Sequence, residues 1–243
     1  LKLINSRCNN EIRILKEKNK SYEDIIDIKD KNENAEQTIK CSAGMSWAEI
    51  FKFCTEHSFT GLLEFTGLPG TVGGACYMNA SCFNSSIAKV LLSAEYMTED
   101  GEKRVYEMNQ EDWDYKKSPF QTSCDGKKNI VTSATFKVYT SNSDIHSQGL
   151  AFIKKRKEKG HYKTPCAGSV FKNPKGEIAG KLIEECGLKG FSIGGAQIAP
   201  WHANIIINEN NAKQTEISKL MDYIVDIVKQ RKNIKLIPEI IFW

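Results

Sequence analysis

The sequence predicts an α+β fold in two domains, and three observations carry that reading. Strand-like and helix-like stretches follow one another without the regular alternation of a βαβ protein. The longest apolar runs, such as Ile205-Ile-Ile207 and Ile240-Ile-Phe-Trp243, are strand-sized and far too short to span a bilayer. A polar stretch at 141–150 marks a passage between two parts of the chain, placing the domains at 1–146 and 147–243. At 243 residues there is chain enough for two modest cores.

Residues 1–45 read as short strands with charged turns: Ile12-Arg-Ile14, Ile25-Ile-Asp-Ile28 and Thr38-Ile-Lys-Cys-Ser42, with Lys29 to Asn34 as a polar turn. Ser46 and Glu49 have the spacing of a capping box. Trp47, Ile50, Phe51 and Cys54 then recur at helical spacing, so a helix with a core-facing stripe is expected. Val90–Tyr96 and Lys103–Tyr106 read as a hairpin around Glu99-Asp-Gly101. Asn129–Tyr139 is rich in branched and aromatic residues and reads as a strand. In the second part, helices are expected over Leu150–Lys159 and Glu177–Cys186, the latter closed by Gly187. Asn211 with Gln214 predicts the start of a last helix, whose stripe is Ile217, Leu220, Met221, Ile224, Val225 and Val228. A final strand is expected over Lys235–Trp243.

Composition narrows the function. The net charge is only +4, from 34 basic and 30 acidic residues, and the lysines are scattered, which argues against a nucleic-acid footprint. Leu1-Lys-Leu-Ile4 lacks the apolar core of a signal peptide, so the expected compartment is the cytoplasm. Cys8, Cys41, Cys54, Cys76, Cys82, Cys124, Cys166 and Cys186 include no CxxC pair and read as small, reduced, buried hydrophobes. Four histidines offer no ligand cluster, so no metal is expected.

The stretch around which the chain is organised is Gly67-Leu-Pro-Gly-Thr-Val-Gly-Gly74. Glycine loses more backbone freedom on folding than any other residue. Four in eight positions imply either a tight turn or a backbone approached closely by a ligand, and consecutive N–H groups suit a phosphate. The spacing is neither Gly-Lys-Ser/Thr nor GxGxxG.

Residue order adds what spacing leaves open. Gly61-Leu-Leu-Glu-Phe-Thr-Gly-Leu-Pro-Gly-Thr-Val-Gly-Gly-Ala75 with Met78-Asn-Ala80 resembles the flavin-binding loop of the UDP-N-acetylenolpyruvoylglucosamine reductases. The resemblance continues through Ala167-Gly-Ser-Val-Phe-Lys-Asn-Pro174, Ala179 to Gly190, Ile193-Gly-Gly-Ala-Gln197 and His202-Ala-Asn204, running from about Ser42 to the C-terminus. It implies an FAD-binding domain of the vanillyl-alcohol-oxidase type, followed by a smaller substrate-binding domain. It also implies NADPH as reductant and a UDP-sugar enolpyruvyl ether as small-molecule substrate, in peptidoglycan precursor synthesis. A monomer is expected, with no nucleic acid and no membrane insertion.

The resemblance assigns FAD contacts to Gly67, Pro69, Gly70, Thr71, Val72, Gly73, Gly74 and Asn79. It gives proton donation to Ser169, a place near the same carbon to Glu239 and stabilisation of developing negative charge to Lys116. Substrate contacts fall to Tyr115, Arg156, Lys159, Lys172 and Asn173. Three departures stand against the family pattern. Tyr115-Lys-Lys-Ser118 replaces Tyr-Arg-x-Ser, and Ser81 and Asn84 replace two glycines. No Gly-Gly-Ser-Asn loop precedes Gly61, so the chain is expected either to be a fragment or natively to lack the first flavin loop. The short segment between Lys116 and Ser141 implies the shorter family subtype. The departures keep a second reading open, a diverged homologue that binds flavin or a nucleotide sugar without turnover.

Overall fold

The computed structural model describes the backbone of residues 26–27 and the residues 35–121, 129–160 and 162–242. The strand expected at Ile12-Arg-Ile14 and the turn from Lys29 to Asn34 lie outside them. The chain divides into two compact units, Leu1–Ile153 and Lys154–Trp243.

In the first unit the elements run β1 (Ile26–Asp27), β2 (Glu36–Ser42), α1 (Trp47–Glu56), β3 (Phe59–Thr60), α2 (Val72–Tyr77), β4 (Ser81–Cys82), β5 (Ser85–Ser86), α3 (Ile87–Val90), β6 (Leu91–Met97), β7 (Lys103–Glu107) and β8 (Ile130–Thr140). The main sheet has the order β1-β2-β8-β6-β7, with β3 also on β8, and every pairing is antiparallel. Its register follows the alternation of side chains. Gln37, Ile39 and Cys41 stand opposite Val138, Phe136 and Ala134, and all six are buried. Against that face lies α1, started by the expected capping box: Ser46 Oγ accepts from Glu49 N–H at 3.3 Å, and Glu49 Oε2 accepts from Ser46 N–H at 2.8 Å. Its buried residues are Trp47, Ile50, Phe53 and Cys54, so Phe53 takes the inward place expected of Phe51, which is only half-buried. Trp47 stacks on Phe65 at 4.8 Å between ring centres and reaches Phe136 at 6.0 Å. Burying each of these large side chains contributes about 2–3 kcal/mol. Low dielectric around the core thiols shows in their acidity: burial pushes Cys54 and Cys76 up to about 12 and raises Cys41 as well.

Helix α4 (Ile145–Glu158) begins five residues earlier than expected and takes in much of the polar 141–150 stretch. Asp144 starts it, its carboxylate accepting from Ser147 N–H at 2.9 Å. Gly149 is required there because a Cβ would come within 2.1 Å of the Phe51 ring.

The second unit continues with β9 (Cys166–Ser169), β10 (Phe171–Lys172), α5 (Ala179–Glu185), β11 (Ser192–Ile193), β12 (Ala196–Ile198), β13 (Ile205–Asn208), α6 (Gln214–Lys232) and β14 (Ile237–Pro238). Strands β11-β12-β13-β9 form an antiparallel sheet, and β10 pairs with β14. Helix α6 buries Leu220, Met221, Ile224 and Val228 of the expected stripe. Gly187 ends α5 in the left-handed conformation at φ +70°. Two expectations are corrected. Asn211 does not cap α6: it turns at φ +48°, the residue before the helix is Lys213, and Glu216 Oε2 accepts the Lys213 N–H at 2.9 Å. The final strand is two residues long rather than Lys235–Trp243, because β10 offers only Phe171 and Lys172 to pair with and Pro238 has no N–H to donate. Of the described cysteines, all free, Cys166 is exposed, against the expectation of burial, since β9 lies at the edge of its sheet.

Candidate functional site

The glycine stretch has an inner and an outer edge. Val72 N–H donates to Met45 O and Gly73 N–H to Ala43 O, both at 2.9 Å, fastening the loop to the chain between β2 and α1. A Cβ on Gly73 would stand 2.9 Å from the Ala43 Cβ, so this glycine exists for close packing. Val72 is fully buried, whereas Pro69, Gly70, Thr71 and Gly74 are exposed and Gly67 is half-buried at φ +74°. Gly70, at φ +111°, has no atom within 4 Å of where a Cβ would stand. Among the described residues, the N–H groups of Gly70 and Thr71 donate to no protein acceptor. An open backbone edge with spare donors fits a group that brings phosphate oxygens to it, as FAD does.

Asn79, at φ +42° and 5% exposed, uses its amide inside the protein. Its Oδ1 accepts from Ala88 N–H at 3.1 Å and its Nδ2 donates to Asp114 O at 2.9 Å. Ser81 lies in β4, while Phe83 and Asn84 adopt φ +49° and +65°. The missing glycine at 84 is therefore replaced by a residue that still takes the left-handed turn.

Asp114 opens the turn that carries Tyr115 and Lys116. Lys117 N–H donates to Asp114 O at 3.0 Å and Asp114 N–H returns to Lys117 O at 3.3 Å. Lys116 sits at φ +55° within that turn, a costly conformation for a residue with a Cβ, and Tyr115 is exposed. Trp113 and Phe120 flank the turn, buried and edge-on at 5.9 Å. Ser118 Oγ donates to Tyr77 O at 2.7 Å, and Gln121 Nε2 donates to Lys116 O at 3.0 Å. Gln121 was given no role by sequence; nothing in a lone polar residue after Phe120 signals it.

In the second unit three distant motifs meet on one residue pair. Val170 N–H donates to Asn204 O at 2.9 Å, and Val170 O accepts from Glu239 N–H at 2.7 Å. Phe171 is held by both ends of the buried Asn204 amide, its N–H to Oδ1 at 2.9 Å and its O from Nδ2 at 2.8 Å. Half-buried Glu239 is thus held by its backbone to the residue that follows Ser169, which is exposed at the end of β9. Gly168 precedes the serine at φ +80°. Sequence reasoning placed the His202-Ala-Asn204 block in the pattern without seeing that Asn204 is the clamp.

Arg156 is buried at 7% exposure, and its charge acts on Tyr162, whose hydroxyl is raised mainly by burial. Lys159 is exposed. Together with Lys189 it helps hold His202 below its ordinary value, although burial is the larger cause. His202 Nδ1 accepts the Asn204 N–H at 3.2 Å, which fixes the neutral tautomer. Lys163 lies 5.2 Å above the Trp201 ring. Lys172 is half-buried on β10, and Asn173 Oδ1 accepts from Ala179 N–H at 3.0 Å at the start of α5. Among the described residues no group of His, Cys, Asp and Glu could hold a metal. None of the helices described is long and apolar enough to cross a membrane.

Two family models match the chain, the FAD binding domain over residues 18–105 and the UDP-N-acetylenolpyruvoylglucosamine reductase C-terminal domain over residues 160–243. The UDP-N-acetylenolpyruvoylglucosamine reductase of Treponema denticola is 42% identical, over 84% of this chain and 67% of its own length. That of Chlamydia felis is 36% identical, over 84% and 69%. The crystal structure of the UDP-N-acetylenolpyruvylglucosamine reductase from Thermus caldophilus aligns with a TM-score of 0.70 at 30% identity, covering 84% of this chain and 72% of the other. The chain therefore spans about two thirds of the length of these relatives. With the glycine loop inside the first match, the Ser169 segment and the Asn204 clamp inside the second, and a relative 42% identical over two thirds of its length, the chain belongs to the UDP-N-acetylenolpyruvoylglucosamine reductase family.

Proposed function

We propose that this chain reduces UDP-N-acetylenolpyruvoylglucosamine to UDP-N-acetylmuramate with NADPH and FAD, in cytoplasmic peptidoglycan precursor synthesis, the flavin domain being residues 1–146 and the substrate domain 147–243. The observation that carries this reading is the hydrogen bond from Glu239 N–H to Val170 O at 2.7 Å, which brings Glu239 beside the Ser169 segment. Bound FAD would carry reducing equivalents from NADPH to the vinyl group of the substrate, and the open edge of Gly67, Pro69, Gly70, Thr71 and Gly74 would hold it. Val72, Gly73 and Asn79 support that edge from within.

The chain's own residues manage charge and protons. Reduction of the vinyl group at its terminal carbon leaves negative charge on the carbon beside the ether oxygen and on the attached carboxylate. The Ser169 hydroxyl donates its proton to that carbon and is reprotonated from solvent. A serine hydroxyl is a weak acid in water, so it does this only against a strong developing base. The Lys116 ammonium stabilises the developing charge as a point charge, where a guanidinium would bind it in two-pronged fashion. Glu239 is assigned to the same carbon, where a carboxyl group can hold or exchange a proton. Arg156, Lys159, Lys172, Asn173 and Tyr115 bind the diphosphate and sugar.

The test is an absorbance spectrum of the protein with FAD under anaerobic conditions. Bleaching on NADPH and recovery on UDP-N-acetylenolpyruvoylglucosamine are expected. Flavin bound and bleached but never reoxidised by substrate would favour the second reading, a non-catalytic homologue, which Lys116 and the altered block Ser81–Asn84 support.

A further inference from the structure

Lys116 sits on an unfavourable backbone, and what holds it there belongs to the glycine-loop segment. The turn from Asp114 to Lys117 is closed by two backbone bonds, at 3.0 and 3.3 Å. Five further contacts tie it down. Asn79 Nδ2 donates to the carbonyl of Asp114, and Ser118 Oγ donates to the carbonyl of Tyr77, the last residue of α2. Gln121 Nε2 donates to the carbonyl of Lys116 itself. The same amide lies 3.7 Å from Met78 Sδ, and Gln121 O accepts the Tyr77 hydroxyl at 3.4 Å. Gln121 therefore joins the strained residue directly to Tyr77 and Met78, at the end of the helix that begins in the glycine loop. A left-handed lysine is unfavourable and persists only when its surroundings over-determine it.

We infer that Gln121 is a positioning residue: through the Lys116 carbonyl it fixes the ammonium-bearing residue in register with the glycine loop. The inference rests on the role proposed above for Lys116. It predicts that Gln121 matters to the step in which substrate accepts reducing equivalents and not to flavin binding or flavin reduction.

The experiment is a cycle of Gln121→Met, Lys116→Ala and the double variant in the flavin-loaded protein. Flavin affinity, the rate of bleaching by NADPH and the rate of reoxidation by substrate are each followed. Gln121→Met keeps the volume but removes the amide that donates to the Lys116 carbonyl and to the Met78 sulfur. Reoxidation is expected to slow about 10-fold in Gln121→Met, since small misplacement of a catalytic group costs rates of that order. Bleaching by NADPH and flavin affinity stay within about 2-fold. In the Lys116→Ala background the same substitution should change nothing, because a residue acting through another shows full coupling with it. Gln121→Lys, which restores a donor of similar reach, should recover most of the lost rate. Additive losses in the double variant, or flavin affinity falling with the reoxidation rate, would overturn the inference while leaving Lys116 its role. Full-speed reoxidation in Lys116→Ala would overturn both.

Discussion

At the scale of single residues, the side chains that organise the site are amides rather than charges. Asn204 satisfies both backbone groups of Phe171 from a fully enclosed position, at 2.9 and 2.8 Å. Asn204→Ala leaves a buried N–H and a buried carbonyl unpaired, and should destabilise the second unit by about 2–4 kcal/mol. Urea unfolding monitored on that unit checks this; a loss below about 0.5 kcal/mol would mean water replaces the amide without cost. Lys116 is the other residue on which the reading turns. Its left-handed backbone, at φ +55°, does not distinguish lysine from arginine, so Lys116→Arg alters only the head group. We expect substrate reoxidation of the flavin to quicken several-fold, on the order of 1 kcal/mol of extra charge stabilisation. An unchanged or slower rate would show that the site has adapted to an ammonium.

The segments of the chain show which signals sequence carries and which it does not. Local chemistry was legible: the Ser46–Glu49 cap, the Trp47 stripe, the hairpin turning at Gly101 and the Gly187 stop all depend on neighbours within a few positions. The start of α6 was misread because its cap serves two masters. Glu216 Oε2 accepts the local Lys213 N–H, as a cap should, but also the Gly195 N–H at 3.1 Å from the β11–β12 turn. No local pattern announces a partner 21 positions away. The same geometry explains Ile193-Gly-Gly-Ala196: a Cβ on Gly194 would strike the Glu216 carboxylate at 2.1 Å, and one on Gly195 the Asn210 carbonyl at 2.0 Å. Gly195→Ala should therefore undo the hairpin and its bond to Glu216, read as lost amide protection at 193–196 and a lowered melting temperature. The two N–H groups, from Lys213 and Gly195, hold Glu216 below its ordinary 4.5. A carboxylate lowered in the folded state contributes stability above its ordinary value and loses it as pH falls through the lower, folded one. Between about pH 5 and about pH 3, the melting temperature of Glu216→Gln should fall less steeply than that of the parent protein. Parallel curves would show that the carboxylate charge is idle.

Across the whole molecule, each unit has its own core, and the chemistry is divided between them by sequence. The glycine loop and Lys116 belong to the first, Ser169 and Glu239 to the second. The glycine loop and the Ser169 segment could be read from residue order, because their backbone demands fix residue types. The two-residue ladder between β10 and β14 could not, since each strand is too short to leave a periodic mark. That ladder has a consequence in time. It closes a loop of about 70 residues for very few contacts, so its entropic cost is met only after the strands and helices between its ends have formed. Glu239 should be the last of the candidate groups to arrive during refolding. Protein diluted from denaturant into FAD is expected to regain flavin fluorescence quenching first and turnover afterwards, with a lag that lengthens when Pro238, beside Glu239, is replaced by Gly.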